Sequence, residues 1–376
     1  MSEESSGDLA RTRELVLRHG WNATAYQILN PRIAHWFHPL VDAVVGYVEA
    51  PGRLVAAGDP VAPREALGVV ARSFEDQALR TGRKVCWFAA SEELARVHRM
   101  QGASTAVPIG EQPVWQPAGW AQKIRHHRSL RAQLHRARNK GVVVSEWPAA
   151  RATHHRDLEQ CLGQWLATRP FPTMHFLVEP ETLGRVLDRR VFVAEAGGTP
   201  VAFLVASPVP MRRGWLIEQI IRSARTPNGS AELLVDHAIG CFASEGYEHA
   251  TLGLAPLARH AHGGPAPALW LEGVLRWLRA HGERFYHFRG IDFFKSKFQP
   301  DAWEPVFAVS NERAFSVRTL YAIGWAFSGG TPFRSMTLAF ARAFRQEIAW
   351  LGAPRASHPR LEPLGLLTPR AASPRR

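Results

Sequence analysis

Hydrophobic positions in the first hundred residues alternate between strand-like and helix-like patterns. Two short apolar runs flank the turn Ala50-Pro-Gly52, an arrangement typical of a β-hairpin. Ser91, followed by two glutamates, is typical of a capped helix start. The predicted elements are a helix over 9–30, strands over 43–48 and 53–57, a helix from 63 or 64 to about 81, a strand over 85–89 and a helix over 92–101.

A second unit of the same kind follows a Pro/Gly-punctuated link over 107–119. Its predicted helices lie over 123–140, 157–168, 230–245 and 270–281, and its predicted strands over 142–144, 191–195, 200–206, 215–221, 250–254 and 285–288. Hairpin strands that lead into a strand, a helix and a further strand resemble the order of elements in acyltransferases of the GNAT type.

The predicted fold is therefore α/β (α+β), with two tandem GNAT-like domains over 9–118 and 119–310. Each domain would be a mixed, mostly antiparallel sheet flanked by helices. Large apolar residues recur at helical spacing near the C-terminus, with arginines between them, so a C-terminal amphipathic helix is predicted within 311–351. It would lie in a membrane interface or pack on the protein. The Pro-, Ala-, Ser- and Arg-rich residues 352–376 predict a disordered basic tail.

The composition limits the class of protein to which the chain can belong. The 46 Lys+Arg exceed the 33 Asp+Glu by 13, and 46% of the 376 residues are hydrophobic, which excludes a wholly disordered chain. The positive excess favours phosphate-bearing partners, although it is also compatible with a merely soluble surface. The three cysteines have no metal-ligand spacing, so no metal site is predicted. Without a signal peptide or an apolar run of about 18 residues, the chain is expected in the cytoplasm, peripheral to the inner face of the membrane.

The segment 123–140 combines cations with an apolar stripe. It contains no acidic residue, whereas a solvated helix usually alternates Glu with Lys. A polyanion would offset the repulsion between these cations, which makes a nucleic-acid backbone the first candidate and an anionic lipid surface the second. An ordinary solvated face is the remaining alternative. The residues assigned to tRNA or anion binding are Arg125, Arg128, Arg131 and Arg138.

A Pro-Asn-Gly turn separates the strand ending at Arg222 from the helix that begins at Ser230 or Ala231. Free amides at a helix start can bind an anion or a carbonyl oxygen. An acetyl-CoA loop would need Arg/Gln-x-x-Gly-x-Gly/Ala, but Arg225 is one residue out of register and Pro227 removes a donor. A structural turn with a helix cap is the alternative.

Aromatic residues and cations alternate over 281–305. If this segment is extended, Lys295 and Lys297 share one face. Phenylalanines interleaved with cations can stack bases and hold phosphates, whereas core packing is the alternative for several of the phenylalanines.

Several of these segments together resemble the C-terminal, catalytic domain of phosphatidylglycerol lysyltransferases of the multiple-peptide-resistance-factor type. The motifs are Gly58-Asp-Pro-Val, 224–234, 252–257, Arg284 through Gly290, Phe294 through Phe298, and Trp303-Glu-Pro305. The resemblance implies two tandem GNAT-like domains that transfer an amino acid from aminoacyl-tRNA, as co-substrate and without a cofactor, to a lipid hydroxyl, commonly that of phosphatidylglycerol. The alternatives are a GNAT-type acyl-CoA N-acyltransferase and a non-catalytic module that binds tRNA or an anionic membrane.

The same resemblance suggests roles for single residues. Arg222, Asn228 and the amides of Gly229 and Ser230 would lie near a developing oxyanion. Glu218 and Glu232 would hold the α-ammonium group, or one of them would act as a base. Lys297, together with Lys295 and Arg289, would contact the tRNA end or the lipid phosphate. His287 is a possible base, and Glu304 is assigned to substrate binding. Gln219 stands where the family usually has Asp, which removes a carboxylate expected at the amino-acid site.

Overall fold

Twelve strands form one mixed sheet in the computed structural model, which describes residues 3–102, 104–169, 173–258 and 288–330. The strands are β1 Ala34–Phe37, β2 Val44–Ala50, β3 Arg53–Ala57, β4 Lys84–Ala90, β5 Thr105–Trp115, β6 Val142–Trp147, β7 Arg190–Ala196, β8 Thr199–Val209, β9 Gly214–Arg222, β10 His249–Thr251, β11 Ala255–Pro256 and β12 Ala302–Ser310. The helices are α1 Glu3–His19, α2 Leu67–Arg80, α3 Glu92–Gln101, α4 Trp120–His126, α5 Arg128–Arg138, α6 Ala149–Ala152, α7 Arg156–Ala167, α8 Ser230–Ser244, α9 Phe288–Ser296 and α10 Val317–Ser328. The predicted α/β class is confirmed.

The two ends of the sheet repeat one pattern. The strand order is β1-β2-β3-β4-β12-β5-β10-β9-β8-β7-β6, and β11 pairs with β5. At one end, β1, β2 and β3 are antiparallel and β4 runs parallel to β3. At the other end, β7, β8 and β9 are antiparallel and β10 runs parallel to β9. We call the β1–β4 end the first lobe and the β6–β10 end the second lobe.

Each of the two central strands follows one lobe in the chain but pairs with the other lobe. β5 follows the first lobe in the chain but pairs with β10, and β12 follows the second lobe but pairs with β4. The two strands also pair with each other over the whole of β12. The sheet therefore runs without interruption through both predicted domains, and the division between them at residues 118 and 119 stays a prediction.

The predicted link over 107–119 is wrong, since most of it is β5. Pro108 and Pro113 lie in this strand opposite Phe307 and Trp303 of β12, and the register of the pair shifts between Val306 and Phe307. Proline lacks an amide donor and is rarely found in a central strand, so its presence predicts a break. The irregular register accompanies these prolines here.

The predicted basic helix is two helices, because the chain turns at His127 between α4 and α5. The His127 Nδ1 accepts a hydrogen bond from the Leu130 amide at 3.1 Å and so caps α5. Leu130, Leu134 and Ala137 are buried, as the apolar stripe predicted. They pack on the core of the second lobe, so the cations of α5 lie on its outer face.

The C-terminal predictions are described only in part. Helix α10 lies within the predicted extension 311–351, and its Ala322 and Ala326 pack in the core of the first lobe. Residues 331–376, which carry the remainder of that extension and the predicted tail, lie outside the described residues, as does the predicted helix over 270–281. Of the predicted strand 285–288, only Phe288 is described, and it begins α9.

Candidate functional site

β9 and β10 separate soon after they begin to pair. Only Gly214–Leu216 of β9 are in parallel register with His249–Thr251, whereas β9 continues to Arg222 along β8. From Ile217 onward, the other edge of β9 faces no strand of the described chain. The fold thus opens in the second lobe, and an extended substrate could bind along the open strand edge.

Helix α8 begins beside this opening after a tight turn. Gly229 adopts φ +94, and a Cβ there would lie 2.2 Å from the carbonyl oxygen of Gln133 in α5. Glycine is therefore required both by the backbone conformation and by the close approach of α5. This contact places the basic helix directly against the start of α8.

Two amides at the start of α8 were predicted to face the substrate, and that of Gly229 has no acceptor within the described ranges, whereas that of Ser230 is engaged in the turn. The Ser230 amide and its hydroxyl both donate to the Pro227 carbonyl oxygen, at 3.2 and 2.7 Å. The Ser230 amide therefore stabilises the turn and is not free to bind an oxyanion. The amides of Ala231 and Glu232 have no acceptor within the described ranges, and helix-start amides of this kind bind anions and carbonyl oxygens.

Two predicted catalytic residues meet at this helix start. The Lys297 Nζ donates to the Glu232 Oε1 at 2.6 Å, and the two side chains are 23% and 10% exposed. The Lys297 ammonium also lies 5.0 Å from the centre of the Phe294 ring. An ion pair that is partly dehydrated but open on one side can bind and orient a polar substrate.

Lys295 does not share a face with Lys297, because the segment is helical up to Ser296 and not extended. Its ammonium donates to three consecutive carbonyl oxygens, those of Leu252, Gly253 and Leu254, at 2.7 to 2.8 Å. Burial lowers the pKa of Lys295 to about 7. All three donors are used, so the predicted phosphate contact is corrected to a structural role that fixes the chain after β10.

Glu218 is also engaged inside the protein. Arg189 Nε donates to its Oε1 at 2.5 Å, and Gln27 Nε2 donates to its Oε2 at 2.7 Å. The side chains of Arg189 and Glu218 are 3% and 8% exposed. Because both oxygens have partners and the pair is buried, Glu218 is placed to hold the second lobe against residues 25–30 and not to hold a substrate.

Glu304 lies on β12 at a cavity between the lobes. Arg212 donates two hydrogen bonds to its carboxylate at 2.5 and 2.7 Å, and Gln112 donates a third at 2.8 Å. Burial alone raises the pKa of Glu304, but the contact with Arg212 outweighs it and holds the pKa below its ordinary value. The cavity has a volume of about 250 Å³, and Trp21 and Leu254 contribute to its lining.

The remaining predicted residues fall into two groups. Arg222 and Asn228 are exposed beside the opening, and their side chains have no hydrogen-bonding partner in the part of the chain that the structure describes. His287 lies outside the described residues, and Arg289 is described only as a backbone position in α9. No group of three His, Cys, Asp or Glu side chains suited to a metal ion occurs within the described ranges.

A polar network on β9 was not predicted from the sequence. The Gln219 side chain donates to the Glu179 carbonyl oxygen at 2.5 Å and accepts from the Thr182 hydroxyl at 3.2 Å. The Glu179 carboxylate in turn lies 2.8 Å from the Nδ1 of His175. The spacing of His175 and Glu179 by four residues was the only available signal, and no predicted element contained them.

The exposed cations of α4, of α5 and of the turn just after α5 form what we call the basic surface. Its members are Arg125, Arg128, Arg131, Arg136, Arg138 and Lys140. Within the described chain, only Arg138 among them has a carboxylate partner, Asp236 at 3.2 Å. Because α5 contacts the start of α8 at Gly229, the helix that carries most of the basic surface packs beside the helix start at which Lys297 and Glu232 meet. No helix among the described residues has the length and apolarity to cross a bilayer.

Comparison with known proteins gives one family and several related chains. The sequence model described as phosphatidylglycerol lysyltransferase, C-terminal, matches residues 13–310. The lysylphosphatidylglycerol biosynthesis bifunctional protein LysX of Nocardia farcinica is 28% identical over 291 residues, which cover 74% of this chain and 25% of LysX. The chain therefore spans about a quarter of that relative.

Two solved structures share the fold. The C-terminal domain of a putative lysylphosphatidylglycerol synthetase from Agrobacterium fabrum superimposes with a TM-score of 0.75 at 24% identity, over 86% of this chain and 98% of that one. L-PGS from Bacillus licheniformis superimposes with a TM-score of 0.69 at 18% identity, over 90% and 96%.

Proposed function

The chain belongs to the family of phosphatidylglycerol lysyltransferase C-terminal domains, and on that premise we propose that it transfers an amino acid from an aminoacyl-tRNA to a hydroxyl group of a lipid such as phosphatidylglycerol. The observation that carries the proposal is the Lys297–Glu232 pair at the start of α8, where β9 and β10 separate. LysX, by its name, takes part in making lysylphosphatidylglycerol. Since the proposed reaction joins a nucleic acid and an anionic lipid, we propose that the protein acts at the inner face of the membrane.

The reaction exchanges one ester for another. The lipid hydroxyl oxygen attacks the ester carbonyl carbon of the aminoacyl group, and the terminal ribose oxygen of the tRNA leaves. The proton released by the attacking hydroxyl is returned to the ribose oxygen, so no oxidant, reductant or cofactor is consumed. Because the bonds broken and formed are alike, catalysis depends on positioning and on stabilising the oxyanion.

The described residues offer donors and a carboxylate for these steps. The free amides of Ala231 and Glu232 would bind the ester carbonyl oxygen as it becomes negative. The Glu232 carboxylate would hold the α-ammonium group or accept the hydroxyl proton, and Lys297 would orient it. Arg222 and Asn228, exposed beside the opening, would lie near the same oxyanion.

The basic surface supports the choice of donor. Most of its arginines lie on the outer face of α5, and the opposite side of this helix contacts the start of α8, so a tRNA acceptor arm bound there would bring its end to the site. Shape and charge recognition of this kind suits a double-stranded RNA stem.

The test is a transfer assay with the purified full chain. Vesicles containing phosphatidylglycerol are incubated with tRNAs charged with each radiolabelled amino acid in turn, and label is followed into the chloroform phase. We expect label from at least one amino acid, and none with phosphatidylcholine vesicles or with free amino acid and uncharged tRNA. The absence of label from all twenty amino acids would rule the proposal out, and label from acetyl-CoA would replace it with acyl-CoA chemistry.

A further inference from the structure

Helix α9 carries a phenylalanine that the core does not use. Phe298, just after the helix, is fully buried, and Phe294 packs edge-on against it at 5.2 Å between ring centres. Phe293, in contrast, is 73% exposed. This ring is therefore the most exposed of the three, a distinction that the alternation of aromatic and cationic residues in the sequence could not make.

The position of Phe293 relates it to the candidate site. The Lys297 amide donates to the Phe293 carbonyl oxygen at 3.1 Å, so the two residues are one helical turn apart on the same side. Lys297 in turn contacts Glu232 at the start of α8. The exposed ring thus lies one turn from the ion pair at which the transfer is proposed to take place.

Helix α4, which carries Arg125 of the basic surface, packs beside the end of α9. Beyond α9, Lys123 of α4 forms an ion pair with Asp301 at 2.6 Å, and the ring of Trp120 in α4 lies 6.1 Å from that of Phe298. A nucleic-acid strand that follows the cations of α5 and α4 is therefore led toward α9. A nucleotide suits these surroundings better than an acyl chain does, because its phosphate can contact the cations and its base offers a flat face to the ring.

We propose that Phe293 is a stacking platform for an unpaired base at the 3′ end of the donor RNA. This inference rests on the proposed function, since it assigns the position of the donor in the same site. Stacking would bury the exposed ring and hold the terminal nucleotides in line with the Lys297–Glu232 pair. Phe293 is thus a positioning residue, whereas Lys297 and Glu232 act on the reacting atoms.

The test uses an RNA hairpin with a single-stranded 3′ overhang in which 2-aminopurine replaces one base. The fluorescence of 2-aminopurine falls when it stacks on an aromatic ring. Wild-type protein should quench the fluorescence. Phe293→Ala should abolish the quenching and weaken RNA binding about 10-fold, equivalent to about 1.4 kcal/mol. Phe293→Trp should restore both the quenching and the binding. A blunt hairpin without the overhang should bind wild type and Phe293→Ala equally.

Met100→Ala is the matched control, because Met100 is 77% exposed on α3, in the first lobe. It should leave quenching and binding unchanged, and the melting temperatures of all variants should agree. Equal quenching by wild type and Phe293→Ala would overturn the inference. So would a loss of vesicle binding by Phe293→Ala with unchanged RNA binding, since the ring would then contact lipid.

The RNA experiment can fail or succeed independently of the transfer assay. If lipid is labelled but quenching does not depend on Phe293, the stacking inference alone is wrong. If no amino acid is transferred but Phe293-dependent quenching is present, the proposed reaction is wrong and the ring still binds an RNA end.

Discussion

The parallel strand pairs of the two lobes have the same topology but differ in how far they stay paired. In the first lobe, all of β3 is in register with β4, and the Gly58 amide extends the contact by donating to the Phe88 carbonyl oxygen at 2.7 Å. Just beyond β3, the backbone amides and carbonyl oxygens of Val61 and Val44 form two hydrogen bonds of 2.9 Å, which hold this part of the chain against the start of β2. In the second lobe, pairing ends at Leu216 and Thr251. A repeated topology thus yields a closed lobe and an open one.

The ion pairs of the lobes differ in the same sense. Arg53 of β3 pairs with Glu312 at 2.5 Å, with side chains 8% and 16% exposed, and Ser316 and Thr319 add hydrogen bonds. Among the described residues, the Lys297–Glu232 pair has no such surrounding network, and it is more exposed on its lysine side. The first pair therefore serves stability, whereas the second remains accessible to a substrate.

The largest effect is expected from Lys297→Ala. Removing the ammonium leaves Glu232 without its partner at the reacting atoms, so kcat/KM for lipid aminoacylation should fall roughly 100- to 1000-fold. Lys84→Ala, at an exposed lysine of β4 in the closed lobe, is the control and should retain full activity. Thermal unfolding of both variants should match wild type, and equal activity of the two would remove the distinction between the lobes.

Glu312→Gln should act on stability instead of activity. Burial alone raises the pKa of Glu312, but hydrogen bonds from Thr319 and the charge of Arg53 outweigh it and hold the pKa below its ordinary value. The carboxylate therefore stabilises the fold above its unfolded-state pKa, and this contribution is lost as pH falls through the lower folded-state pKa. At neutral pH the variant should lose about 2 kcal/mol of unfolding free energy.

Urea unfolding of wild type and Glu312→Gln between pH 3 and pH 7 measures this difference. The two curves of stability against pH should converge at the acid end. Parallel curves would show that the Arg53–Glu312 pair does not depend on the ionisation of Glu312, and a loss of kcat at equal stability would place the pair in the transfer reaction.

The smallest effect is expected from charge reversal on the basic surface. Arg128→Glu combined with Arg131→Glu should weaken RNA binding several-fold and flatten its dependence on salt, because fewer counterions are released from the RNA. Arg72→Glu with Arg80→Glu, two exposed arginines of α2 in the closed lobe, is the matched control. A salt dependence that changes equally in both double variants would mean that binding follows net charge and not the surface next to the opening.

Local patterns predicted much of the fold. The first hairpin, helices α2, α3, α7 and α8, and the strands of the second lobe follow from hydrophobic periodicity and turn residues close in sequence. The strands β5 and β12 were missed because prolines dominate their local signal, whereas their pairing is set by partners far away in the chain.

The candidate site was predicted in part for a similar reason. Glu232 and Lys297 could be named from motifs, but their contact joins residues 65 positions apart. Lys295 and Glu218 looked equally suitable, since a sequence does not show whether a charged group faces a substrate or three carbonyl oxygens. Only the three-dimensional fold separates these cases.

The exchange of β5 and β12 between the lobes has a consequence for synthesis of the protein. As the nascent chain leaves the ribosome, β4 has no partner on its inner edge until β12, more than two hundred residues later, has emerged. The amino-terminal part of the polypeptide cannot complete its hydrogen bonding by itself, and pairing over such separations is slow. Expression of residues 1–118 alone would leave an open edge prone to self-association.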